Sequence, residues 1–101
     1  MLILIPVDGT DEKKAKITAL AAVQKWALVE FDQGTTQSVR FFDDRMQTGE
    51  DWIEFVILKS NFENYMVFME ENMMVLVIRE EETIEEIIEA FKFKELDEVG
   101  F

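Results

Sequence analysis

Residues 53–78 read Ile53-Glu54-Phe55-Val56-Ile57-Leu58-Lys59-Ser60-Asn61-Phe62-Glu63-Asn64-Tyr65-Met66-Val67-Phe68-Met69-Glu70-Glu71-Asn72-Met73-Met74-Val75-Leu76-Val77-Ile78. The two ends of this stretch, Ile53 to Leu58 and Met73 to Ile78, are almost wholly apolar. Runs this short and this apolar are the pattern of strands covered on both faces. Between them, Ser60-Asn61-Phe62-Glu63 has the spacing of a capping box, in which a Ser hydroxyl and a Glu carboxylate satisfy amide donors left unpaired at a helix start. Phe62, Met66 and Met69, with Tyr65 beside them, then fall on one helical face. Strand, helix, strand in this order predicts two parallel strands joined by a crossover helix.

The same device recurs downstream as Thr83-Ile84-Glu85-Glu86, followed by Ile84, Ile87, Ile88 and Phe91 at helical spacing. Upstream, Leu2 to Val7 is an apolar run closed by Pro6 and by Asp8-Gly9, and reads as a buried strand. Trp26 to Phe31 and Gln37 to Phe42 are strand-like runs joined through Asp32-Gln33-Gly34-Thr35, where Gly34 can supply the positive φ of a tight antiparallel hairpin. Asp43 to Asp51 is the most polar stretch and reads as an exposed connection. Thr10 to Gln24 has no clean periodicity and is read as loop with a possible helical turn. The fold class is therefore α/β: one domain over residues 1–101, with a mixed five-stranded sheet, an antiparallel hairpin in the first half and strand-helix-strand-helix in the second.

A chain of 101 residues can bury a core without staples. It holds no cysteine and no histidine, which excludes disulfides, thiolate or imidazole metal ligation and Ser-His-Asp or Cys-His catalysis. No P-loop or dinucleotide fingerprint is present. Asp and Glu outnumber Lys and Arg by 22 to 10, a formal net charge of −12. Nucleic acid is not expected as a partner, because neutralisation of phosphates by basic residues supplies most of the non-specific affinity. No apolar run approaches the roughly 20 residues that span a bilayer, and no signal-peptide pattern is seen. A cytoplasmic protein without a membrane partner is the expectation.

The strand and turn Leu2 to Gly9, the hairpin around Trp26 to Phe42 and the ending Thr83 to Val99 together resemble the dinitrogenase iron-molybdenum cofactor biosynthesis family. The closest part is Ile84-Glu85-Glu86-Ile87-Ile88-Glu89-Ala90-Phe91 followed by Glu95-Leu96, similar to the acidic helix and Leu-containing tail with which members end. The resemblance implies a small accessory or carrier domain with a ribonuclease H-like fold. It implies an iron-molybdenum or iron-sulfur cluster as cofactor, if that role is kept, held near Asp8, Gly9, Thr18, Ala19 and Leu20. Ala19-Leu20-Ala21 stands where members carry His-Phe-Gly, so the usual ligand is missing. Lys59-Ser60-Asn61 stands in place of small residues that let backbone approach a bulky group. The helix expected ahead of the fourth strand is reduced to Thr48-Gly49-Glu50-Asp51-Trp52.

Other residues carry competing readings. Asp8, Asp43 and Asp44 could meet at one sheet edge and hold Mg²⁺ for two-metal phosphodiester hydrolysis, or be turn residues. Met46, Met66, Met69, Met73 and Met74 could offer thioethers to a soft ion, but core filling explains them more simply. Arg79-Glu80-Glu81-Glu82 reads as a charged cap or a docking face, and Phe93 and Phe101 as a contact patch or tail packing. The expected function is a non-enzymatic domain that binds another protein through the acidic last helix and the Asp43 to Asp51 connection. The alternatives are a metallocluster carrier and a Mg²⁺-dependent nuclease.

Overall fold

In the computed structural model, which describes residues 1–99, the apolar run Leu2–Val7 becomes the strand (β1) around which the sheet is built. On one side it pairs antiparallel with Lys25–Asp32 (β2), which turns back into Thr35–Phe42 (β3). Gln33 and Gly34 make that two-residue turn, both with positive φ (51° and 80°), as a turn matching the twist of paired strands requires. On its other side β1 pairs in parallel with Phe55–Leu58 (β4), and β4 in parallel with Met74–Val77 (β5). The crossover between β4 and β5 carries a short helix, Met66–Glu70 (α1), as the order of elements predicts. After β5 comes Ile84–Lys92 (α2), and then Asp97–Glu98 (β6) pairs antiparallel with β5. The spatial order is β3-β2-β1-β4-β5-β6, a mixed α/β sheet with six strands where the sequence predicts five.

The sixth strand has no signature of its own, being two exposed acidic residues. It forms because α2 ends in a left-handed turn: Lys94 has φ 58°, and the Glu95 N–H donates to the Ala90 carbonyl at 2.8 Å. That turn sends the chain back along β5.

The two faces of the sheet are covered by different helices. Ile3, Ile5, Val29 and Ile57 lie under Ile84, Ile87 and Ile88 of α2, while Leu4, Leu28, Val56, Val75 and Val77 lie under Phe68 of α1 and Met73. Strands β1 and β4 are thus buried on both faces, the pattern their continuous apolar runs predict.

The first capping box behaves otherwise than expected. Only half of it forms: the Ser60 N–H donates to Glu63 Oε2 at 3.2 Å, but Ser60 Oγ accepts from the Phe62 N–H at 3.1 Å while the Glu63 N–H goes to the Ser60 carbonyl, and these bonds close a turn from which no helix begins. α1 starts six residues later, at Met66, behind Tyr65 with no side-chain cap, and is five residues long. Phe62 therefore lies outside the helix and is 96% exposed, and the residue that anchors α1 is Phe68. The helical piece ahead of β4 is also displaced, being a 3₁₀ turn at Arg45–Thr48 that ends at Gly49 with φ 72°. Residues 10–24 are loop with one 3₁₀ turn, Leu20–Ala22. Among the described residues no helix is long and apolar enough to cross a membrane.

Candidate functional site

Strands β1, β4 and β5 are parallel, so their C-terminal ends share one edge of the sheet. From that edge the chain leaves β1 towards β2 on one side and β4 towards β5 on the other, and adjacent strands whose connections diverge leave a crevice between them. A cleft of about 500 Å³ opens there, with Asp8, Thr18, Ala19, Lys59, Ile78 and Glu82 in its lining. Three of the five positions suggested for a cofactor, Asp8, Thr18 and Ala19, line this cleft, and Gly9 and Leu20 adjoin them in the chain.

Each of those positions has local work of its own. Asp8 Oδ1 accepts the Lys16 N–H at 2.8 Å and the Asp8 N–H donates to the Lys16 carbonyl at 3.0 Å, which closes the loop between them. Next to it, Gly9 has open space where a Cβ would stand, so nothing there requires close backbone approach. The Thr18 N–H donates to the Pro6 carbonyl at 3.0 Å, and buried Ile17 donates to the Glu82 carbonyl at 2.8 Å. These bonds lay the segment across the strand ends. Ala19 flanks the 3₁₀ turn, and the Leu20 N–H donates to Glu63 Oε1 at 2.5 Å. Glu63 bridges two loops, because its other oxygen takes the Ser60 N–H. Among the described residues, Thr18 Oγ1 is the one polar side-chain atom buried without a hydrogen-bond partner.

Several charged groups of the cleft are already engaged, with one another, with backbone or with residues outside it. Lys16 pairs with Glu82 at 3.4 Å, and Arg79 reaches Asp97 Oδ1 through two nitrogens at 2.9 and 3.0 Å. Glu81 Oε1 accepts the N–H groups of Arg79 (2.9 Å) and Glu80 (3.3 Å), which makes the run 79–82 a self-closed turn ahead of α2. Glu86 folds back in the same way, accepting from Thr83 and Glu82 backbone, and these bonds hold its carboxyl below the usual range.

Asp43 and Asp44 do not join Asp8. The registers Val7↔Lys25 and Trp26↔Phe42 put Asp8 and Asp43 at the same sheet end but two strands apart. Lys25 stands between them and pairs with Asp43. Asp44 is spent on the 3₁₀ turn, where its Oδ1 accepts the Met46 N–H at 2.9 Å while its own N–H donates to Gln47. Among the described residues no three carboxylates form a group that could hold a metal ion. The three-aspartate Mg²⁺ site considered from sequence is therefore not assembled, because turn chemistry takes two of its members.

The methionines also divide differently from the core-filling expectation. Met73 is buried and Met69 partly so, but Met46, Met66 and Met74 are 73%, 52% and 46% exposed. Trp52 is exposed as well, its indole N–H donating to the Asn72 carbonyl at 3.1 Å. Arg45 ties this region together: it chelates Glu71 at 2.6 and 2.9 Å and lies 4.9 Å from the Phe68 ring centroid. The bond from Arg45 holds the Glu71 carboxyl below its usual range and raises the guanidinium in turn. Phe93 is exposed under the Lys92 ammonium, and Phe101 lies outside the described residues.

Neither protein-family profiles nor curated proteins yield a match to this chain. Solved structures do. A "putative dinitrogenase" from Methanocaldococcus jannaschii, in its crystal structure, superposes with a TM-score of 0.77 at 19% identity over 99% of this chain and 95% of that one. A "putative NifB protein" from Thermotoga gives 0.73 at 17% identity over 96% and 91%. This chain shares their fold. At such identities the likeness concerns the path of the backbone, and the crevice residues must be judged by their own chemistry.

Proposed function

We propose that this chain is a non-enzymatic cytoplasmic domain, similar to nitrogenase-related accessory proteins, that acts by binding another protein. The observation that carries the reading is the exposure of large apolar side chains around α1. Phe62 is 96% exposed, with Met66 behind it on α1, and Met46 and Trp52 stand exposed where the 43–52 segment meets the other end of α1 through the Arg45–Glu71 and Trp52–Asn72 contacts. Exposed aromatic and methionine side chains grouped on one side of a strongly acidic domain are the composition of contact surfaces. The segment 43–52 includes the connection singled out from sequence for its polarity.

A soft metallocluster does not fit the crevice. Its side chains able to ligate are carboxylates and one hydroxyl, interspersed with the cations Lys16, Lys59 and Arg79, and the chain has no thiolate or imidazole. A nuclease reading is not favoured, since among the described residues no three carboxylates gather into a metal site.

The test compares the wild-type chain with a Phe62→Ser/Met66→Ser double variant, immobilised and exposed to native extract. A protein retained by the first and lost from the second is the expected result, with circular dichroism confirming that both are folded. Anaerobic incubation with an iron-sulfur cluster donor, then desalting, should leave the protein colourless. A retained visible chromophore overturns the proposal in favour of cluster carriage.

A further inference from the structure

β3 is the long edge of the sheet, the other edge being the two-residue β6, and among the described residues no strand lies beyond β3. It is eight residues long and contains no proline, lysine or acidic residue, the usual means of blunting such an edge. Its single charge, Arg40, is paired with Glu50 at 3.2 Å. The hydrogen-bond phase of the sheet shows which groups are free. The Met1 ammonium donates to the Phe31 carbonyl at 2.9 Å and the Phe31 N–H to the Met1 carbonyl at 2.8 Å, so Phe31 and, by alternation, Val29 and Ala27 turn their backbone groups to β1. Glu30, Leu28 and Trp26 then face β3, where they oppose Ser38, Arg40 and Phe42. Val39 and Phe41 are left with N–H and C=O directed outward.

The side chains of Val39 and Phe41 lie on the α2 face of the sheet, packed against the core. Beside Val39 a groove of about 350 Å³ runs between β3 and α2, floored by Phe31, Ile84 and Ile88. Its charged lining holds three carboxylates, Glu12, Glu85 and Glu89, against Lys13 and Lys92, on a chain of net charge −12. A strand laid along β3 would bond to Val39 and Phe41, and every second side chain would lie over this groove.

We propose that the β3 edge and the β3–α2 groove bind an extended segment of a partner protein by strand addition, the segment alternating apolar and basic residues. This rests on the reading of the chain as a protein-binding domain and assigns it a second surface, distinct from α1. Main-chain bonds to the edge give affinity, the groove selects apolar side chains at alternate positions, and the net charge of −12, to which Glu85 and Glu89 contribute beside the edge, favours Lys or Arg at the positions between, which face away from the groove.

The probe is a capped octapeptide of alternating valine and lysine, titrated into the full chain. Its controls are the valine-glutamate counterpart and a peptide with four valines followed by four lysines. Binding should be at least about tenfold tighter than to either control and should slow hydrogen exchange at the Val39 and Phe41 amides. A Val39→Pro variant, which removes an outward donor, should lose that binding. A Glu85→Lys/Glu89→Lys variant, altered only at exposed positions, should weaken it whether or not the proline variant folds. Equal binding of the alternating and blocked lysine peptides, or no added protection at Val39 and Phe41, overturns the proposal. So does sedimentation of the unliganded chain as a dimer with those amides already protected, which would make a second copy the occupant. If the peptide fails while capture dependent on Phe62 and Met66 persists, the strand-addition site alone is refuted.

Discussion

The chain carries two capping boxes, Ser60-Asn61-Phe62-Glu63 and Thr83-Ile84-Glu85-Glu86, and they come to different ends. At Thr83 both reciprocal bonds form and a nine-residue helix follows, burying Ile84, Ile87, Ile88 and Ala90. At Ser60 only the carboxylate half forms, the hydroxyl taking the Phe62 N–H in place of that of Glu63, and the chain makes only a turn. The difference lies in what comes after the cap. Isolated helical turns are marginal in water, so a cap continues into a helix when the next turns bury an apolar face. α2 has that face opposite Ile5 and Ile57, whereas Asn61-Phe62-Glu63-Asn64 has none. Glu63 is also drawn out of its own motif, its carboxylate shared with Leu20 on the loop across the cleft. The second motif starts a helix and the first holds two loops together.

The comparison is broken most severely through the core. Phe68 is the buried anchor of α1 and also lies beneath Arg45, so Phe68→Ala should cost about 3–5 kcal/mol and Ile87→Ala on α2 about 2–5 kcal/mol, read from urea unfolding. Hydrogen exchange should separate the two, Phe68→Ala releasing the 60–72 segment before global unfolding. If both variants lose protection only globally, α1 is no weaker a unit than α2.

Glu63→Gln tests the bridge. The amide keeps one acceptor oxygen and cannot serve Ser60 and Leu20 together, so a loss of about 1–2 kcal/mol is expected, with faster exchange at the Leu20 amide. Unchanged exchange at Leu20 would mean that the two loops are held by packing alone.

Thr83→Ala should cost about 1 kcal/mol, because it removes an acceptor at a true helix start. Ser60→Ala, altering an exposed turn, should cost less than about 0.5 kcal/mol. Equal costs would erase the distinction between cap and turn.

The smallest effect concerns acid. The carboxyls of Glu86 and Glu71 have folded-state values lowered from 4.5, by backbone bonds and by Arg45 respectively. Groups lowered on folding stabilise the native state above their unfolded value, and that contribution is lost as pH falls through the folded value. The urea midpoint should therefore fall as the pH is lowered from about 4.5, and Glu86→Gln should flatten this dependence. A slope equal to that of the wild-type chain would remove Glu86 from the account.

Much of this architecture is legible in the residues. The hairpin is announced by Gln33-Gly34 between two β-prone runs, α2 by Thr83, Glu86 and the spacing of its isoleucines, and the parallel pair by two wholly apolar runs. What misleads is local chemistry with two uses. Asp43 and Asp44 look alike in sequence, yet one pairs with Lys25 and the other caps a 3₁₀ turn. Met66 and Phe62 have helical spacing from core residues, yet both face water. β6 was invisible because two acidic residues have no strand pattern, and only the left-handed turn at Lys94 places them beside β5.

By itself the sequence determined the elements that depend on neighbours in the chain: the turn, the second cap, the buried strands, and a chemical inventory without thiolate or imidazole ligands. Tertiary structure decided the order of the strands, and with it the crevice beyond β1 and β4, the open edge at β3, and the fate of Ser60 and Glu63. The physical reason is range. Periodicity and caps are satisfied within a few residues, whereas the partner of Glu63 lies 43 residues away at Leu20, and a residue's exposure depends on which elements are packed over it.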